Sequence, residues 1–157
     1  MFQNEFKMKT IVPFILAILL VTSCAKKKAR EQAEADEQII LSYIENNNLD
    51  AVATETGLYY VIDTLGTGVY PVSTDNVRVA YKGYLTDGEV FDESSSAGIS
   101  FGLQNVIRGW TEGIPYFKEG GSGILLIPSH LGYGKSGTSG IPGNSVLIFD
   151  VKLIEVL

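Results

Sequence analysis

One cysteine and one histidine stand in a chain of 157 residues. A single Cys cannot close an internal disulfide, and a single His leaves a His/Cys zinc site short of ligands. A histidine-based triad would have only His130 to use. Positive charge is also scarce, with 12 Lys and Arg against 18 Asp and Glu, a net −6. That balance argues against a nucleic-acid binder, which needs a basic face for phosphates. Low charge is not disorder, however. Hydrophobic residues make up 45% and charged residues 19% of the chain, a globular composition in one domain's length.

The charge is unevenly placed. Residues 1–23 carry Lys7 and Lys9, then eleven apolar residues from Ile11 to Val21. That run is too short to span a bilayer, which needs about 20 residues, and it fits the apolar region of a secretory signal. Met8 offers an alternative start with a shorter leader. Val21-Thr22-Ser23-Cys24 resembles the lipobox of bacterial lipoproteins, in which the Cys is lipidated and becomes the first mature residue. The competing reading is a buried hydrophobic segment with an incidental core Cys. Its position at the N-terminus and the sole Cys on the cleavage position favour the lipoprotein. Lys26, Lys27, Lys28 and Arg30 would follow the lipid directly, as a solvated charge run or as contacts to anionic headgroups. Residues 31–157 hold 6 basic and 17 acidic groups, a net −11.

Residues 31–45 lack Gly and Pro and read as a helix. Ile39, Ile40, Tyr43 and Ile44 share one face, and the acidic first turns suit a helix N-terminus. Asn46-Asn47-Asn48 ends it. The helix packs on the domain, acts as a spacer, or pairs with a second chain; packing or a spacer role is favoured. From residue 57 the texture becomes short β-prone runs between Gly-rich turns. Strands are expected at 58–62, 76–85, 89–93, 123–128 and 145–156. Residues 106–113 are the only helix-like piece there, closed by Pro115. The fold class is α+β, an antiparallel sheet over one short helix.

Several motifs dissolve on inspection. Gly132-Tyr-Gly134-Lys-Ser-Gly137 matches G-x-G-x-x-G, but Thr138-Ser-Gly-Ile-Pro-Gly143 follows and cannot open the required helix. A phosphate loop would need Gly at position 129, which is Ser. Ser94-Ser95-Ser96 has no neighbouring His and reads as a solvated loop. His130 has no spaced ligand partner, so a surface or capping role fits it better than catalysis.

The aromatic pattern is informative. Five blocks occur in order: Val79-Ala-Tyr81-Lys-Gly83-Tyr-Leu85; Asp87-Gly88-Glu-Val-Phe91-Asp92-Glu-Ser94; Phe101-Gly-Leu103-Gln-Asn-Val106-Ile107-Arg-Gly109-Trp110-Thr-Glu-Gly113; Ile127-Pro128-Ser-His-Leu131-Gly-Tyr133-Gly134; and Ile141-Pro142-Gly143-Asn-Ser-Val-Leu147-Ile-Phe149-Asp150-Val151. In order and spacing they resemble the FKBP-type peptidyl-prolyl cis-trans isomerases over about residues 57–157. The resemblance implies a curled antiparallel half-barrel wrapped around one short helix, and an apolar pocket between them. It implies Trp110 as the pocket floor, and Tyr81, Phe91, Val106, Ile107, Ile141 and Phe149 as walls. Tyr133 offers its hydroxyl, Asp92 is a rim acceptor, and the Ile107 N–H meets a substrate carbonyl. Tyr81, Phe91, Asp92, Tyr133 and Phe149 are thus expected to be catalytic, with Val106, Ile107, Trp110, Ile141 and Ile99 binding substrate. Val79, Leu125 and Leu147 are read as ordinary core, and Arg108 as a solvated or structural charge.

Two departures from the family's small members touch the rim: Ile99 stands where an aromatic often lies, and the loop 135–139 is short, Gly-rich and without His. The implied activity is rotation of X-Pro bonds in exported proteins, with no cofactor and no metal. A lipid-anchored chaperone or proline-segment binder with little turnover is the alternative. Implied partners are proline-containing segments, macrolide inhibitors and a membrane through Cys24, with no nucleic acid. The expected organisation is a leader over 1–23, a lipidated tether and helix over 24–56, and an isomerase domain over 57–157. The expected location is the envelope of a Gram-negative-type bacterium, on the outer membrane facing the periplasm.

Overall fold

The structure is a computed structural model that describes the backbone from Met8 to Leu157 and the side chains from Ala25 onward. The side chains of the leader expected over 1–23, and that of Cys24, lie outside the described residues. Helix α1 runs Met8–Asn46. It begins well upstream of the expected start near Glu31, so no acidic residue lies in its first turn. Ala25 to Arg30 contain no Gly or Pro, and nothing there interrupts helical hydrogen bonding. The basic and acidic runs instead pair along the helix at i,i+4, with Lys27 Nζ–Glu31 Oε1 at 3.7 Å and Arg30 Nε–Glu34 Oε1 at 2.7 Å. Such exposed pairs are screened by water and contribute little to stability. The helix ends at the Asn triplet, where Asn48 takes a left-handed φ of 51°. Among the described residues no helix is long and apolar enough to cross a membrane.

Seven strands form one antiparallel sheet: β1 Val52–Ala53, β2 Tyr59–Thr64, β3 Asn76–Tyr84, β4 Val90–Glu93, β5 Ile99–Gly102, β6 Ser122–Ile127 and β7 Leu147–Val156. Their order is β1-β2-β6-β7-β3-β4, and β5 shares the β4 side of β3. The five expected strands are present with ends shifted by one or two residues. The short strands β1 and β5 are additional. β3 alternates as its sequence requires, with Val77 and Val79 fully buried, and Arg78 facing out to pair with Glu155 at 2.6 Å. β7 lies between β6 and β3 and joins β1-β2-β6 to β3-β4-β5.

The concave face carries the main core, in which Val77, Val79, Leu125, Ile127, Leu147 and Leu153 pack with Trp110 and Ile114. Helix α2, Arg108–Gly113, fills that face. Its Gly109 and Gly113 lie one turn apart against β6. A Cβ on Gly113 would come within 2.7 Å of Leu125 Cδ2, and one on Gly109 would press into Ile127. Two glycines therefore let the helix backbone sit directly on the strand. Pro115 does not close this helix; it lies inside a 3-10 turn, Ile114–Tyr116, that continues it. Nor is α2 the only helical piece, since further 3-10 turns occupy Leu103–Asn105, Ser129–Leu131 and Gly134–Ser136.

The convex face of β2 and β6 is covered as well. Tyr59, Val61 and Leu126 pack there with Val146 and with Ile40 of α1. Tyr43 and Ile44 join this cluster, but Ile39 is 41% exposed, so the apolar face of the helix is narrower than its sequence suggests. The helix packs on the domain.

Candidate active site

Between the concave sheet and α2 lies a cavity of about 510 Å³, lined by Tyr81, Phe91, Asp92, Ile99, Phe101, Asn105, Val106, Ile107, Trp110, Tyr133 and Phe149. The lining comes from β3, β4, β5, the approach to α2, the loop after β6, and β7. Its base is an aromatic cluster in mutual edge contact. The Tyr81 and Trp110 rings meet at 5.0 Å and 89°, Trp110 and Phe149 at 5.2 Å and 84°, and Phe91 and Phe149 at 5.4 Å and 81°. Edge-to-face pairs of this kind are favourable beyond their buried area. They also fix each ring against its neighbours.

Gly83 makes the cluster possible. It faces Asp92 across to β4 and Phe149 across to β7. A Cβ on Gly83 would come within 2.6 Å of both the Phe91 and the Phe149 rings. Trp110 is 4% exposed, and its Nε1–H finds no acceptor among the described residues.

The polar groups are few. Tyr81 donates its hydroxyl to Asp92 Oδ2 at 2.7 Å. Its phenol pKa is pushed well above the ordinary tyrosine value, first by burial, then by this hydrogen bond to Asp92. Tyr81 is held from behind as well, because its N–H donates to Ser94 Oγ at 2.9 Å and its carbonyl accepts from Ser94 N at 3.0 Å. Ser94 is therefore half-buried and structural rather than solvated loop. Val106 and Ile107 lead into α2, where Ile107 is the N-cap and its carbonyl accepts from Trp110 N at 2.9 Å. Ile99 and Tyr133 stand at the rim, 47% and 40% exposed. Such a cavity can desolvate an apolar ring and offer hydrogen bonds to the groups flanking it.

The sequence model of the FKBP-type peptidyl-prolyl cis-trans isomerase family matches residues 68–154. The chain belongs to the FKBP family. It is 43% identical over 140 residues to the FKBP-type peptidyl-prolyl cis-trans isomerase FkpA of Escherichia coli, covering 87% of this chain and 52% of that protein. A probable FKBP-type isomerase of Haemophilus influenzae is 38% identical over 159 residues, covering 98% of this chain and 65% of the relative. The crystal structure of FkpA from E. coli superposes with a TM-score of 0.71 at 37% identity, over 98% of this chain and 73% of that one. The chain thus spans about half the length of the E. coli relative by sequence. These relatives come from Gram-negative bacteria.

Within this FKBP cavity stand nine of the ten residues singled out from the sequence; Ile141 does not. Ile141 is 5% exposed and belongs to the main core, where its N–H and carbonyl pair with Thr138. Two lining residues, Phe101 and Asn105, were not anticipated. Phe101 is two residues beyond Ile99 on β5, so the two-residue strand period puts both on one face. Recognising β5 as a strand would have found it. The Phe101 ring reaches Trp110 at 5.2 Å. His130 is exposed and stands outside the cavity, and Arg108 is exposed beside it. Among the described residues no group of three or more His, Cys, Asp or Glu could hold a metal.

Proposed function

We propose that the chain is a peptidyl-prolyl cis-trans isomerase acting in the bacterial envelope. The observation that carries this is the cavity itself, five aromatic rings in contact around a largely apolar space with a few hydrogen-bonding groups at its edge. An X-Pro amide rotates slowly because resonance sets a barrier of about 18–20 kcal/mol. Resonance places negative charge on oxygen and positive charge on nitrogen, and water stabilises that separation. A prolyl ring seated on Trp110 between Tyr81, Phe91 and Phe149 loses the water. The planar, dipolar amide is then disfavoured relative to the twisted one. The Ile107 N–H, the Tyr133 hydroxyl and Asp92 hold the flanking peptide in a turn, so the twisted state is bound better than either planar state. An acceleration of about 10⁶ corresponds to about 8 kcal/mol of such differential binding.

The supporting sequence features extend the reading to place and organisation. A leader over 1–23 is removed, Cys24 carries lipid, residues 24–56 form the tether with the part of α1 that remains, and 57–157 form the isomerase domain. The domain faces the periplasm from the outer membrane. Its substrates are proline-containing segments of exported proteins, and macrolides of the type that fill FKBP pockets compete with them. The test is isomerisation of a prolyl peptide, followed by NMR exchange, with the full chain. Acceleration that a macrolide abolishes is expected. No acceleration, together with suppressed aggregation of an unfolded client, would replace the enzyme with a binding chaperone.

A further inference from the structure

One polar contact ties α1 to the domain four residues before Tyr133 of the cavity. Asp36, on α1, is fully buried, an unusual position for a carboxylate. Its Oδ2 accepts from the Ser129 N–H at 2.8 Å and from Ser129 Oγ at 2.6 Å, and its Oδ1 accepts from Gln32 Nε2 at 2.7 Å. All three donors are neutral. A buried carboxyl group so held resists displacement, because withdrawing it leaves Ser129 unpaired and Asp36 to be solvated anew.

Ser129 opens the 3-10 turn Ser129–Leu131, whose preceding residue, Pro128, supplies no side-chain cap. The cap comes from α1 instead. From Ser129 the chain is held at three of the four positions before the rim. The Ser129 carbonyl accepts from Gly132 N at 3.0 Å. Leu131 is buried in the main core. Gly132 lies so close to β7 that a Cβ would meet Leu147 Cδ1 at 2.8 Å. Tyr133 follows directly, lining the cavity.

We propose that Asp36 is a positioning residue for the isomerase site, acting through Ser129 to hold Tyr133 at the rim. The inference rests on the isomerase reading and adds to it a residue more than 90 positions away on a different element. It makes α1 part of the enzyme's working structure rather than a tether alone.

The test is a double-mutant cycle on kcat/KM with the full chain, using Asp36→Ala, Tyr133→Phe and both together, alongside 19F-tyrosine NMR. Asp36→Ala is expected to lower kcat/KM by about three- to tenfold and to add nothing in the Tyr133→Phe background. Asp36→Asn, which keeps an acceptor for Ser129, is expected to restore most of the loss. The Tyr133 resonance should shift in Asp36→Ala while that of Tyr70, on the far loop, holds. An equal loss in both backgrounds, or an unmoved Tyr133 signal, would overturn the proposal. If Asp36→Ala fails to fold, Ser129→Ala is put through the same cycle and read the same way. If the unaltered chain shows no isomerisation, the functional reading fails by itself, and the Tyr133 resonance alone decides the positioning.

Discussion

At Gly83 the absence of a side chain decides where two aromatic rings stand. The neighbouring residues supply the rings, but only the bare Cα leaves Phe91 and Phe149 room to meet across β3. Gly83→Ala is expected to push both rings outward, destabilise the fold by about 1–3 kcal/mol, and lower isomerisation more than its loss of stability explains. Thermal unfolding compared with activity well below Tm checks this, and unchanged turnover would refute it. Tyr81 and Tyr84 make a second case. Burial, followed by hydroxyl contacts, raises both phenol pKa values; Tyr81 donates to Asp92 and Tyr84 to Asp150 at 2.9 Å. A raised pKa in the folded state gives stability that is fully present below the unfolded value of about 10 and is lost as pH rises through the folded value. Of the eight tyrosines, these two should ionise last, in step with alkaline unfolding. Phenolate absorbance followed alongside near-ultraviolet circular dichroism measures it. Full titration of all eight near pH 10 in an intact fold would contradict the argument.

Among the elements, the strands were readable because their two-residue alternation shows which side is buried, as in Val77 and Val79. The pocket aromatics were readable because their motifs are specific. β5 was missed since Ile99–Gly102 is too short, and too rich in Gly and Ser around it, for alternation to register. The start of α1 is not legible at Glu31, because acidic residues there imitate an N-terminal signal while they pair with a basic run one turn earlier. The role of Asp36 was not readable, since no local pattern announces that a carboxylate on a charged helix will be buried by a loop 93 residues later. Ile124 to Ile127 is apolar without alternation, and in an antiparallel sheet such a run means both faces are covered. Ile40 is what covers the second face. Ile40→Ala is expected to destabilise that docking by about 2–4 kcal/mol and to leave the concave core intact. Amide exchange should then speed up in the last turns of α1 and in the outward-facing positions of β2, but not in β3. Uniform acceleration throughout would show that helix and domain unfold as one unit.

For the whole molecule, the separation of charge matters more than the total. An acidic stretch, residues 31–157 at −11, follows a basic segment beside Cys24, and an acidic surface is repelled by the same anionic headgroups that would attract Lys26–Lys28. With lipid on Cys24, the domain would be held off the surface while its tether is drawn to it. Cys24→Ala is therefore expected to move the protein from the membrane to the soluble fraction. Fractionation of cells expressing both forms measures this, and continued membrane association of the variant would sink the lipoprotein reading.

The position of β7 also has a consequence for how the molecule is made. Everything before Leu147 can form only two half-sheets, β1-β2-β6 and β3-β4-β5, with no ladder between them. Both wait on a strand that follows them in the chain, and Phe149, on that strand, completes the aromatic cluster. Closure of the sheet and completion of the pocket are then a single event, so the protein acquires its fold and its binding site together.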